Sequence, residues 1–218
     1  LKGKRALVTG SSSGIGAGIA QYLASEGVRV AVHGRNAGPA QEVAKQISDA
    51  GGEAVVVTGD LSTDAGAQEV HDAVRSGFGG LDVLVNNVGG PGGALTWDNT
   101  TMDQWVDQYQ LNTLTAVRMI RHFLPGMKAQ GFGRIIQIAS IAGIRPFPDQ
   151  VPAYCASKAA MMSMNISLAQ TGAGTGVTAN CITPGFVATQ GLQDYVLASP
   201  GNENAVWEDI EPAVAEGF

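Results

Sequence analysis

Short apolar runs alternate along the chain with segments in which apolar residues recur every third or fourth position. The first run, "RALVTG" (residues 5–10), is short, apolar and closed by glycine, which predicts a buried strand. Ile15, Ile19 and Leu23 follow four apart and predict an amphipathic helix ending near Gly27. "VRVAVHG" reads as a second strand, with Val43 and Ile47 marking the next helix, and "EAVVVTGD" as a third, with Val70, Val74 and Phe78 marking its helix. "LDVLVNN" is the fourth strand. Thr101-Met102-Asp103-Gln104 has the form of a capping box opening a long helix through Trp105, Tyr109 and Val117, which Pro125 ends or bends. "GRIIQIAS" is the fifth strand, a helix runs from about Pro152 to Ala169, and "GVTANCIT" is the sixth.

Strand and helix alternate at the spacing of right-handed βαβ units, and the unbroken apolar strands predict a parallel sheet covered on both faces. The expected fold is therefore a Rossmann-type, doubly wound α/β sheet. With no internal repeat and no Pro/Ser-rich linker, residues 1–218 read as one domain.

Composition narrows the partners. A hydrophobic content of 44% in 218 residues is enough for one buried core. Net charge is −6 with no run of basic residues, which argues against nucleic acid or an anionic membrane as a partner. No apolar stretch approaches the roughly 18–20 residues of a membrane span, and the start resembles no secretory signal, so the expected location is cytoplasmic. Cys155 and Cys181 lack metal or redox spacing and read as reduced thiols. His33, His71 and His122 have no Cys or carboxylate at ligand spacing, and no metal site is expected.

The stretch "VTGSSSGIG" admits two chemistries. Gly10-Ser11-Ser12-Ser13-Gly14 satisfies the G-x-S-x-G nucleophile elbow, while Gly10, Gly14 and Gly16 suit a turn that approaches a pyrophosphate. The hydrolase reading lacks an earlier loop for the oxyanion hole and a histidine on a late loop. The cofactor reading finds small or polar residues at successive strand ends: Gly34-Arg35-Asn36, Asp60-Leu61 and Asn86-Asn87-Val88-Gly89. The serines, Ser12 and Ser13 among them, then donate hydrogen bonds around phosphates, at the N-terminus of a helix starting near Gly14.

At this point the chain resembles a short-chain dehydrogenase/reductase, over residues 4 to about 190. Thr9-Gly10 through Gly14-Ile15-Gly16 matches that family's T-G-x3-G-x-G. Asn86-Asn87-Val88-Gly89 resembles N-N-A-G with valine for alanine, Tyr154 to Lys158 is Y-x3-K, and Pro184-Gly185 with Thr189 is P-G-x3-T. The resemblance implies a catalytic set of Asn112, Ser140, Tyr154 and Lys158. It also implies cofactor contacts from Gly10, Ser12, Ser13, Gly14, Ile15, Gly16, Arg35, Asn36, Asp60, Leu61, Asn87, Gly89, Tyr154, Lys158, Pro184, Gly185, Val187 and Thr189.

Helical spacing puts Tyr154 and Lys158 on one face. A free phenol has a pKa near 10, and a nearby ammonium would lower it by about 2–3 units, roughly 3–4 kcal/mol. By the resemblance, Tyr154 gives a proton to the substrate oxygen as hydride arrives, Lys158 lowers the tyrosine pKa and holds ribose hydroxyls, and Ser140 polarises the carbonyl. Asn112 would anchor a water leading from Lys158, unless it is a mid-helix residue facing solvent.

Strand 2 closes without an acid, and Arg35 offers a forked cation to a 2′-phosphate, so the expected cofactor is NADP(H). The expected substrate walls are Gly90–Trp97, Ile141–Val151 and the segment after Thr189, with Trp97, Ile144, Phe147, Phe186, Leu192 and Tyr195 making an apolar pocket near Arg145. That suits a small-molecule ketone or secondary alcohol. The nearest general resemblance is to 3-oxoacyl-carrier-protein reductases; Arg118, Arg121, His122 and Lys128 could dock an acidic carrier, although the overall charge opposes it. The family also implies a homodimer or homotetramer through its fourth and fifth helices. It further implies a final helix and a seventh strand not found here, and residues 190–218 read as a mobile substrate lid. The competing function is a non-catalytic NADP-binding regulatory protein, whose signature would be loss of Tyr154 or Lys158, and both are present.

Overall fold

A computed structural model of the chain describes residues 1–93, 95–197, 202 and 205–216. All six expected strands form: β1 (Arg5–Val8), β2 (Arg29–Gly34), β3 (Glu53–Thr58), β4 (Val83–Asn86), β5 (Gly133–Ile138) and β6 (Val177–Ile182). They make one parallel sheet in the order β3-β2-β1-β4-β5-β6. The chain runs outward from β1 to β3, then returns to place β4 on the other side of β1. The carboxyl ends of β1 and β4 therefore flank the point where strand order reverses, the place where open α/β sheets bind ligands.

Alternation along the strands divides the core in two. Ala6, Val8, Val30, Val32, Val83, Val85 and Ile138 pack under α1 (Gly14–Ser25) and α2 (Ala37–Asp49). Leu7, Ala31, Leu84, Ile135 and Ala179 pack under α3 (Asp64–Phe78), α5 (Thr115–Ala129) and α6 (Pro152–Gly172). The expected cover on both faces stops at the β6 edge, where Val177 and Ala179 are buried but Thr178, Asn180 and Ile182 are exposed.

Three local expectations are revised. In α1 the residues pressed on the sheet are Gly16, Ala20 and Ala24, with Ile15, Ile19 and Leu23 half-buried beside them. Small side chains let this helix lie close to the strands. The single long helix expected from Thr101 is instead α4 (Met102–Tyr109), a five-residue π-helical turn Gln110–Leu114, and α5. Its start is as expected: Thr101 Oγ1 accepts from Gln104 N at 3.3 Å, and Gln104 Oε1 accepts from Thr101 N at 2.8 Å. Pro125 does not end α5, which continues to Ala129 because Met119, Ile120, Phe123 and Met127 keep one buried face across the proline.

After β6 come α7 (Gln190–Leu197) and α8 (Trp207–Glu216), the described part of the expected lid. Residues 198–201, 203, 204, 217 and 218 lie outside the described residues, as does the side chain of Tyr195. No helix among the described residues is long and apolar enough to cross a membrane.

Candidate active site

The glycine turn after β1 is fixed by its neighbour at the end of β4. Asn87 Nδ2 donates to the carbonyls of Thr9 (2.9 Å) and Gly10 (3.1 Å). Thr9 Oγ1 in return accepts from Asn87 N (2.9 Å) and Val88 N (3.2 Å). The turn then enters α1 so tightly that a Cβ at Gly16 would press on the Gly10 carbonyl and come within 2.5 Å of Asn87 Nδ2. Gly10 itself has φ 63°, a backbone conformation that favours glycine.

This turn forms one wall of a cleft of about 350 Å³ over the strand ends. Of the expected cofactor residues, Gly10, Ser12, Ser13, Arg35, Asp60, Leu61, Asn87 and Gly89 line it. Ser13 precedes α1 without a side-chain cap bond, and the first turn of α1 carries no acidic residue. The helix thus leaves its N-terminal N–H groups available to an anion, and glycine leaves the room; the residues present fit a dinucleotide phosphate. At the rim, Asp60 accepts from Ser62 N and Oγ at 2.9 and 2.7 Å, and these bonds, helped by the Arg35 charge, hold its carboxyl below the usual range.

The remaining expected contacts fall elsewhere. Gly14 lies beside Thr189, whose Cγ2 would be 3.7 Å from a Cβ there, so the P-G-x3-T segment closes on the glycine turn. Thr189 Oγ1 accepts from Leu192 N at 3.3 Å at the start of α7, Thr189 N donates to Val187 O at 2.6 Å, and the Pro184 carbonyl accepts from Ile141 N at 2.9 Å. Ile15 packs into the core, Asn36 is exposed just before α2, and Gly185 has open space where a side chain would stand.

The four expected catalytic residues come from three elements. Ser140 follows β5 and caps a short 3-10 turn, Ile141–Gly143, by accepting from Ala142 N at 3.2 Å. Tyr154 and Lys158 sit one turn apart at the start of α6, and the Ser140 hydroxyl lies close enough to the Tyr154 phenol to act on its proton. Lys158 is only 3% exposed; its Nζ donates to the Ile138 carbonyl at 2.9 Å and stands over the Tyr154 ring, 5.8 Å from the centroid.

Asn112 lies in the π-helical turn, fully buried, so the solvent-facing alternative is excluded. Its Oδ1 accepts from Gly90 N at 2.8 Å, and its Nδ2 donates to Gly90 O, Gln108 O and Gln108 Oε1 at 3.1, 3.0 and 2.9 Å. A Cβ on Gly89 would lie 2.5 Å from Asn112 Oδ1 and 2.9 Å from Lys158 Nζ, so both polar atoms converge on that one glycine.

The electrostatics correct one expectation. Burial pushes the Tyr154 phenol up, with the Ser140 hydrogen bond pulling it partly back, and burial lowers Lys158 to about 8. The expected downshift of Tyr154 by Lys158 is absent because the ammonium bonds the Ile138 carbonyl and faces the ring, while desolvation acts on the phenol directly.

The sequence reading also missed residues. His33, Ser62, Leu111 and Thr115 line the cleft, and Gln108 partners Asn112. The four-residue spacing of Gln108 and Asn112 was the signal for that pair. Among the expected substrate walls, Trp97, Ile144 and Phe186 are exposed, Trp97 stacks at a tilt on Trp105, and Phe147 packs with Ala142, Val151, Cys155 and Tyr154.

Sheet order and cleft define a Rossmann-type, doubly wound fold with its site over the strand ends. The short chain dehydrogenase family profile matches residues 4–198, and the chain belongs to that family of oxidoreductases. It is 40% identical over 205 residues to D-beta-hydroxybutyrate dehydrogenase of Cupriavidus necator, a match covering 93% of this chain and 78% of that protein. It is 35% identical over 193 residues to the 3-oxoacyl-(acyl-carrier-protein) reductase FabG of Haemophilus influenzae, covering 87% and 76%. The crystal structure of L-sorbose reductase from Gluconobacter frateurii, complexed with NADPH and L-sorbose, matches with TM-score 0.91 at 34% identity, covering 100% of this chain and 82% of that one.

Proposed function

We propose that the protein is an NADP(H)-dependent oxidoreductase that interconverts a ketone and a secondary alcohol, with 3-oxoacyl thioesters as one substrate class to test. The observation that carries this reading is Tyr154 beside Ser140 with Lys158 one helical turn on, its Nζ against Gly89 of the glycine cleft. A nicotinamide held in the cleft would supply hydride to the carbonyl carbon in reduction, or take it from the carbinol carbon in oxidation. In reduction, the Ser140 hydroxyl donates a hydrogen bond to the carbonyl oxygen and orients it. Tyr154, whose buried phenol holds its proton at neutral pH, transfers that proton to the same oxygen as the C–H bond forms. Lys158, charged below about 8, faces the resulting phenolate and stabilises it. Asn112 holds Gly90, and with it the loop after β4, against the π-helical turn.

NADP(H) is supported by Arg35 at the cleft rim, by the absence of an acid at the end of β2, and by the NADPH in the L-sorbose reductase complex. Met102, Val106 and Tyr109, exposed at helical spacing on α4, support a homodimer or homotetramer, and a cytoplasmic location belongs to the same proposal.

The test is oxidation of NADPH and NADH with acyl thioesters, cyclic ketones, ketoses and aldehydes, beside Tyr154→Phe. Turnover with NADPH that falls at least about a hundredfold in the variant is expected. Dinucleotide binding with no turnover on any carbonyl would overturn the enzymatic reading.

A further inference from the structure

His33, the penultimate residue of β2, is 2% exposed and forms part of the cleft wall. Its backbone already holds the glycine turn: the His33 carbonyl accepts from Ser11 N at 2.9 Å, and His33 N donates to Ser11 Oγ at 2.9 Å. Ser11 Oγ in turn donates to Val8 O at 2.7 Å. The imidazole adds two bonds that reach across three strands. Its Nδ1 accepts the N–H of Gly10 at 2.9 Å, and its Nε2 lies 3.1 Å from the carbonyl of Gly59, just past β3.

These partners leave one protonation state. Gly10 N–H is a donor, so Nδ1 must present a lone pair. Gly59 O is an acceptor, so Nε2 must carry the hydrogen. An imidazolium would set an Nδ1–H against the Gly10 N–H, two donors face to face, and Gly10 would lose its bond to β2 and shift while Ser11 stayed held.

We propose that His33 is a positioning residue that straps the glycine turn in its dinucleotide-binding form, and does so only as the neutral Nε2–H tautomer. This rests on the reading above that the turn holds NADP(H). Loss of the strap frees Gly10 from β2 at the point where the turn must bring its N–H groups to phosphate, so it weakens cofactor binding and not the chemical step. Burial lowers the His33 pKa from 6.5, opposed by the Gly59 carbonyl and by Asp60. The charged group acting on it among the described residues is Asp60, from beyond β3, on which Arg35 acts in turn from the end of β2. The strap therefore holds at neutral pH and is released on the acid side.

Two substitutions separate the parts. In His33→Asn the amide oxygen stands near the place of Nδ1 and can accept from Gly10, without titrating. In His33→Leu the volume is kept and both partners are left unpaired. Binding of NADPH and of NADH to the full chain is titrated by fluorescence at pH 7.5 and at successively lower pH down to the point where the folded protein is lost, with kcat and KM for NADPH measured alongside.

At pH 7.5, His33→Leu is expected to bind NADPH about tenfold or more weakly, from the buried donor left unpaired, and His33→Asn to restore most of that loss. The change should fall on KM and not on kcat. As the pH falls through the range in which the buried imidazole takes up its proton, the wild type should lose more affinity than His33→Asn, because the NADPH 2′-phosphate titrates in both but the imidazole in only one. Wild-type affinity in His33→Leu, equal loss in both variants, or an identical acid loss in His33→Asn and wild type would each overturn the strap. If His33→Leu does not fold, the acid comparison of His33→Asn with wild type still decides. A wild type that binds neither dinucleotide overturns the cofactor reading itself, and the strap with it.

Discussion

Lys158 Nζ stands over the ring of Tyr154, 5.8 Å from its centroid, while its hydrogen bond goes to the Ile138 carbonyl at 2.9 Å. The side chain is buried, and lysine is almost never buried without a full set of partners. The site therefore holds a charge at a cost to the fold, and the cost is measurable.

The folded Lys158 pKa is depressed to about 8 from 10.5. Between those two values the unfolded chain binds the extra proton, so stability rises with pH across that window; below about 8 the full penalty, about 3 kcal/mol, is present. Lys158→Met removes the charge but leaves the Ile138 carbonyl unpaired, at about 1 kcal/mol. The net gain of about 2 kcal/mol corresponds to a Tm raised by about 4–8 °C, read by calorimetry at pH 7, together with loss of turnover. A Tm at or below wild type would contradict this account.

The same group sets a pH limit on reduction. With saturating NADPH, kcat should hold through neutral pH and decline as Lys158 loses its proton near 8, since the phenolate left on Tyr154 then loses its facing charge. The reverse oxidation, which needs Tyr154 as base, should gain with pH. Lys158→Arg, always charged, should move the alkaline limb of the reduction upward. A kcat profile for reduction that stays flat to pH 9.5 in the wild type would remove Lys158 from this role.

Gly16 and Gly18 lie in the same helix and should respond in opposite directions. A Cβ at Gly16 meets the Gly10 carbonyl, Asn87 Nδ2 and Ser11 Cα, while at Gly18 nothing lies within 4 Å. Gly16→Ala should cost about 1–3 kcal/mol and most of the dinucleotide affinity, because backbone must shift. Gly18→Ala, at an exposed helical position, should gain about 0.5–1 kcal/mol. Paired urea denaturations and NADPH titrations check both.

Removing the charge of Arg35 should change cofactor choice without touching the fold. The guanidinium is exposed at the cleft rim, and a charge-assisted contact to a phosphate contributes about 1.5–3 kcal/mol. Arg35→Ala is expected to raise the Kd for NADPH by about 10–100-fold and leave NADH nearly unchanged. Equal losses for both dinucleotides would place Arg35 outside 2′-phosphate recognition.

Much of this protein is written in local pattern. Six apolar runs ending in glycine or polar residues determined six parallel strands, because a strand buried on both faces has few other compositions open to it. The spacing of Gly10, Gly14 and Gly16 determined the turn before α1, and the four-residue interval between Tyr154 and Lys158 determined that they share a helical face. Those are properties of neighbours in sequence.

The tertiary structure decided what depends on neighbours in space. The π-helical turn at Asn112 forms where α4 passes into α5, and it turns a residue that could have faced solvent toward Gln108 and Gly90. Pro125 stays inside α5 because a buried face carries the helix past it. His33 gained two ring partners, Gly10 and Gly59, from segments on either side of β2 that periodicity does not relate. The direction of the Tyr154 pKa was decided in the same way: sequence supplied a lysine one turn away, but burial sets the balance, and burial is a property of the packed sheet and helices around the phenol.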